Sequence, residues 1–102
     1  MFIAANRISV ASGWEEKFEQ RFAQRAGQID KQPGFVRMQI LKPDSDNTPY
    51  IVLTTWQDKA SFESWVGSED FKLAHSNPMP QEAFDGEGKL EMHEVVIAAE
   101  ST

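Results

Sequence analysis

FVRMQILKPDSDNTPYIVLTTW, residues 35–56, is the stretch on which the fold turns. Phe35 to Leu41 and Tyr50 to Trp56 are dense in β-branched, aliphatic and aromatic side chains, the composition of strands. Between them, Pro43-Asp44-Ser45-Asp46-Asn47 is built from turn formers. Two strands joined by such a loop pair antiparallel.

Working toward the N-terminus, Pro33–Gly34 closes an amphipathic helix. At about 100° per residue, Trp14, Phe18, Phe22 and Ile29 fall within a wedge of roughly 80°, with Arg21 and Arg25 at its border. Glu15, Glu16 and Glu19 lie in the early turns, where the helix dipole favours acids, and Ser12 is placed to cap it. Met1 to Ala11 alternates at period two. Phe2, Ala4, Ile8 and Val10 share one side and Arg7 and Ser9 the other, the pattern of a half-buried strand. Asn6 is the polar residue on the apolar side.

Working toward the C-terminus, Asp58 is an N-cap for a short helix carrying Phe62, Trp65 and Val66. Gly67–Ser68 interrupts it, and Ser68 caps a second short helix from Glu69 to about His75. Ser76 to Gly88 reads as a long loop, and Leu90 to Ala98 as a fourth strand. The order β-α-β-β-α-β is the α+β, ferredoxin-like split βαβ arrangement with an antiparallel sheet, in one domain spanning residues 1–102. Helices in that arrangement cover one sheet face. The other face is expected to be covered by a second copy, in a homodimer.

Composition narrows the chemistry. The 102 residues contain no cysteine, which excludes disulfides, thiol nucleophiles and cysteine-ligated clusters. The net charge of −6 repels phosphate backbones, so nucleic acid is not an expected partner. No apolar run approaches the roughly 20 residues of a membrane helix, and Phe2 to Ala5 is cut short by Asn6 and Arg7, so neither a span nor a secretory leader is expected. A cytoplasmic protein is the expectation. There is no GxGxxG or Walker pattern.

Four features can carry chemistry, and each has an ordinary structural reading beside it. An unpaired amide at Asn6 costs about 1–3 kcal/mol on an apolar face, so it is bonded to backbone, placed at a sheet edge, or held for a ligand. His75 ends a helix, where an imidazole is either a dipole contact or a ligand. Trp65 is a core residue or a pocket wall. Arg21 and Arg25 either snorkel beside the core and pair with nearby acids, or meet a dianionic, otherwise apolar ligand. Only two histidines are present, so multi-histidine metal sites are poor candidates, whereas haem requires one axial imidazole. His93 lies opposite in parity to Leu90 and Met92 and reads as structural or exposed.

Three segments together resemble the IsdG-type haem-degrading monooxygenases, within the antibiotic biosynthesis monooxygenase superfamily of dimeric α+β barrels. They are AANRISV around Asn6, KFEQRFAQRAGQ with Arg21 and Arg25, and SFESWVGSEDFKLAHS, where Trp65 and His75 stand ten residues apart. The resemblance implies a catalytic trio of Asn6, Trp65 and His75. His75 would be the axial ligand of the iron of haem b, and Asn6 would donate a hydrogen bond on the oxygen-binding side. Trp65 would press the macrocycle out of plane. Phe22, Phe62 and Phe71 would be apolar walls, and Arg21 and Arg25 would face the propionates. It further implies that haem is both prosthetic group and substrate, consumed with O2 and electrons from an external donor, here an unidentified reductase. Two alternatives share the fold: a cofactor-free monooxygenase acting on a quinol-like substrate, and a non-enzymatic haem-binding dimer.

Overall fold

The computed structural model describes residues 1–25 and 28–101, with Arg25 described by its backbone alone. Alternating apolar residues in β1 (Phe2–Ile8) and β4 (Lys89–Glu94), and runs dense in β-branched, aliphatic and aromatic residues in β2 (Phe35–Leu41) and β3 (Tyr50–Trp56), form the strands. Helix α1 (Glu15–Arg25) follows β1, and α2 (Lys59–Val66) and α3 (Glu69–Ala74) lie between β3 and β4. The sheet runs β2-β3-β1-β4 with every neighbouring pair antiparallel, which is the expected ferredoxin-like arrangement. β2 and β3 have the bounds read from sequence. The two caps also form as read: Asp58 accepts from Ser61 N at 2.8 Å, and Ser68 Oγ from Phe71 N at 3.1 Å.

β1 is central, and its register decides what each face carries. Phe2 stands opposite Trp56 and Glu94, Ala4 opposite Thr54 and Met92, and Asn6 opposite Val52 and Leu90. Directly opposed residues share a face, so this one carries the aromatic core. Trp56 is wholly buried. Its Nε1 donates to Thr54 Oγ1 at 3.0 Å, while the rings of Phe35 and Phe62 meet it edge-on at 5.4 and 6.0 Å. Phe2, Ala4, Ile29 and Trp65 complete the cluster. On the opposite face Ile3, Ala5, Ile51 and Leu53 are only half-buried, and Leu41 is exposed.

The ends of the elements depart from the sequence reading where tertiary contacts intervene. β1 stops at Ile8 rather than Ala11, because Ser9 to Ala11 turn to bond the downstream loop. Asp85 N donates to Ser9 O and Ala11 N to Ala83 O, both at 2.8 Å. Segment 76–88 is therefore not wholly irregular: Gln81–Ala83 forms a 3-10 turn and Ala83 is fully buried. Ser12 does not cap α1. It lies in a turn with Gly13 (φ 92°), and the cap position belongs to Trp14, whose carbonyl accepts Phe18 N–H at 3.0 Å. Ile29 reaches the core from a 3-10 turn, Ile29–Lys31, rather than from α1. β4 starts at Lys89 and ends at Glu94, short of Ala98. Glu94 is its last paired residue, opposite Phe2, and a single further bond, Val95 N–H to Met1 O at 2.9 Å, follows it.

α1 is fastened to the sheet through Tyr50, whose ring meets Phe18 at 4.9 Å and whose hydroxyl donates to Glu19 Oε2 at 2.5 Å. Burial, then the bond to Glu19 and its negative charge, push the Tyr50 phenol up to about 12. A raised folded-state value means this contribution is complete below the ordinary phenol range and is lost as pH rises toward the folded value. Urea midpoints should therefore fall between about pH 10 and 12, and Tyr50→Phe should flatten that fall; an identical slope in the variant would remove Tyr50 from the linkage.

Candidate functional site

A cavity of about 250 Å³ lies between the aromatic sheet face and the helices. The strands supply its floor: Ala4 and Asn6 from β1, Met38 from β2, Val52 and Thr54 from β3, Leu90 from β4. Phe22 enters from α1, Phe62 and Trp65 from α2, Phe71 from α3, and His75 from the residue that ends α3. The structure thus brings together Asn6, Phe22, Phe62, Trp65, Phe71 and His75. Arg21 is half-buried on α1 and is not part of the wall. The side chain of Arg25 lies outside the described residues. His93 is exposed and opposite Ile3, on the other sheet face.

Asn6 is neither at a sheet edge nor tied to a neighbour. Its strand is flanked on both sides, and its side-chain amide makes no hydrogen bond within the described residues. Half-buried in an apolar wall, such an amide retains its full donor and acceptor capacity for whatever enters.

His75 is held differently. It is the C-cap of α3 and its Nδ1 lies 2.8 Å from the carbonyl oxygen of Phe71. A proton on Nδ1 donates to that carbonyl and leaves the Nε2 lone pair uncommitted, the usual arrangement of a metal-binding imidazole. Among the described residues no group of three or more His, Asp or Glu could enclose a metal ion. A single imidazole beside an apolar cavity suits a metal that brings its other ligands with it, as a porphyrin does.

Trp65 is 6% exposed and belongs to the core cluster, yet it also lines the cavity. Both readings of this residue therefore hold at once. Sequence reasoning missed Met38, Val52, Thr54 and Leu90 as floor residues. The signal was present in the strand parity: each is opposite, or two residues along from, a partner of Ala4 or Asn6.

Residues 1–77 match the antibiotic biosynthesis monooxygenase family. A heme oxygenase (staphylobilin-producing) of Staphylococcus haemolyticus is 38% identical over 79 residues, 76% of this chain and 75% of that protein. A heme oxygenase (mycobilin-producing) of Mycobacterium tuberculosis is 32% identical over 95 residues, 93% of this chain and 89% of that protein. The solved structure of the heme-degrader MhuD from Mycobacterium tuberculosis, with two hemes bound in its active site, superposes with a TM-score of 0.81 at 29% identity. The match covers 98% of this chain and 100% of that one.

Because Trp65 serves the core, Trp65→Ala should cost about 3–5 kcal/mol of folding stability, a large share of the total for a domain of this size. Trp65→Phe, which still fills most of the space, should cost less than half as much. Urea denaturation of the two variants measures the difference, and a stable Trp65→Ala protein would show that the residue serves the cavity alone.

Proposed function

The chain belongs to the antibiotic biosynthesis monooxygenase family, in its IsdG-type haem-degrading branch, and on that premise we propose that it is a haem-degrading monooxygenase that opens the porphyrin ring and frees the iron. The observation that carries this reading is the pairing, in one apolar cavity, of a lone imidazole tied through Nδ1 and an amide with no hydrogen-bond partner among the described residues. Bound haem b supplies both the redox centre that activates O2, using electrons from an external donor, and the macrocycle that is consumed.

Each residue has a physical task. His75 offers Nε2 to the iron. Asn6 presents a hydrogen-bond donor from the strand floor, and in a cavity of low dielectric that donor acts more strongly than it would in water. Trp65, backed by the core, would give the cavity a rigid aromatic wall against a bound macrocycle. Phe22, Phe62 and Phe71 exclude water from its faces. Arg21 and Arg25 are the α1 cations available to the propionates, where a guanidinium–carboxylate pair is favourable.

The working assembly is a homodimer. The half-buried apolar sheet face needs a cover, and Val96 and Ile97, 87% and 88% exposed beyond the end of β4, need a partner. Among the described residues no helix is long and apolar enough to cross a membrane. We place the protein in the cytoplasm, where a reductase delivers the electrons. Sedimentation at low micromolar concentration should give a mass near twice 11.5 kDa; a folded monomer there would refute the dimer.

The decisive experiment adds haem, then reductant and oxygen, and follows the visible spectrum and product mass. His75→Ala should abolish the axial-imidazole spectrum and turnover, whereas His93→Ala should leave both unchanged. Asn6→Ala should bind haem but degrade it about tenfold more slowly or worse, the worth of one hydrogen bond made in the reaction. Wild-type turnover by both His75→Ala and Asn6→Ala would leave the cavity without its proposed function.

A further inference from the structure

α3 is six residues long, and His75 stands at its end with its ring exposed. An imidazole has a broad torsional well about its Cβ–Cγ bond, and an exposed one ordinarily samples it. Among the described residues, one hydrogen bond and one ring contact act on this imidazole, and both come from Phe71, one helical turn earlier. The Phe71 carbonyl oxygen lies 2.8 Å from Nδ1. The Phe71 ring stacks on the imidazole, with centroids 4.0 Å apart and an interplanar angle of 30°. A hydrogen bond fixes a point, because the ring can still pivot about the line from nitrogen to oxygen. A stacked neighbour fixes a plane. Together they leave one orientation.

Phe71 is itself secured. Its backbone N–H donates to Ser68 Oγ at 3.1 Å, and that hydroxyl donates to the Trp65 carbonyl at 2.7 Å. The Trp65 ring meets the Phe71 ring edge-on at 5.4 Å and 82°. A continuous aromatic series therefore runs from buried Trp65 through half-buried Phe71 to exposed His75.

We infer that Phe71 is the positioning residue of the His75 imidazole, fixing both its Nδ1–H tautomer and the plane in which Nε2 is presented. This rests on the reading that His75 holds the haem iron, and it assigns Phe71 a task beyond that of an apolar wall. An axial ring held in one plane gives the same metal–nitrogen bond in every molecule. If Phe71 were only a wall, an aliphatic side chain would serve as well.

The test begins on the haem-free full chain with carbon-13 and nitrogen-15 labelled histidine. Relaxation at the His75 ring carbons measures ring order, long-range nitrogen–proton correlations give the tautomer, and exposed His93 is the internal reference. Wild type should show an ordered His75 ring with the proton on Nδ1. Phe71→Leu keeps the carbonyl and most of the apolar bulk but removes the flat ring, and should lower His75 order toward that of His93, the retained hydrogen bond leaving the ring free to pivot. Phe71→Tyr should restore it. In the ferrous haem-loaded protein, the iron–histidine stretching band should be narrow in wild type and Phe71→Tyr but broadened or displaced in Phe71→Leu. Haem affinity should change by less than about tenfold, the range of one aromatic pair. A wild-type His75 ring as mobile as His93 overturns the inference, with no variant needed. So does a Phe71→Leu protein with unchanged ring order and band. If instead His75→Ala leaves the stretching band in place, the ligand assignment fails, while the haem-free ring order still decides the role of Phe71 by itself.

Discussion

The register of β1 between β3 and β4 is the constraint on which the rest of the molecule depends. Phe2, Ala4 and Asn6 share a face with Trp56, Thr54 and Val52 on one side and with Glu94, Met92 and Leu90 on the other. A slip of one residue would exchange the two faces of the strand, bringing Arg7 into the core and sending Asn6 out of the cavity. The packing of Phe2 against Phe62, 5.5 Å between centroids, opposes such a slip, as does the burial of Ala4 beneath the helices. The position of a polar functional group is thus secured by the apolar residues two and four places before it.

The cavity is continuous with the core rather than a separate chamber beside it. Trp65 packs in the buried cluster and on the cavity wall, and Phe62 touches Phe2 and Trp56 as well as lining the site. Core rigidity is therefore delivered directly to the surfaces that would meet a flat ligand. This coupling has a cost for mutational analysis, since large truncations at the wall also loosen the fold. Polar groups behave in the opposite way. Asn6 and His75 contribute little to the core; among the described residues the Asn6 amide makes no hydrogen bond and the His75 ring is bonded through Nδ1 alone.

Short helices make the arrangement possible. Gly67 and Ser68 break the second helical region into α2 and α3, and Ser68 joins them by accepting from Phe71 and donating to Trp65. One uninterrupted helix would carry its side chains at a fixed 100° advance along a single axis. The break lets Trp65 face the sheet while Phe71 and His75 close the side of the cavity. The stretch after His75 then returns to the sheet through the bonds of Ala83 and Asp85 to the residues that follow β1.

Local signals alone determined much of this protein. A density of β-branched, aliphatic and aromatic residues marked β2 and β3 to the residue, Asp58 and Ser68 announced the starts of their helices, and the oddity of an amide among apolar residues singled out Asn6. These are properties of neighbours along the chain, so they are legible without a fold. Ends and partners were decided by tertiary structure. β1 yields its last residues to a loop more than seventy positions away, β4 keeps its ladder only as far as Glu94, and the cap of α1 passes from Ser12 to Trp14 because Gly13 turns the chain. The sheet floor of the cavity and the stack of Phe71 on His75 likewise depend on distance in space. Pairing register and helix crossing follow from how apolar faces are buried together, and that is a property of the whole chain rather than of any window within it.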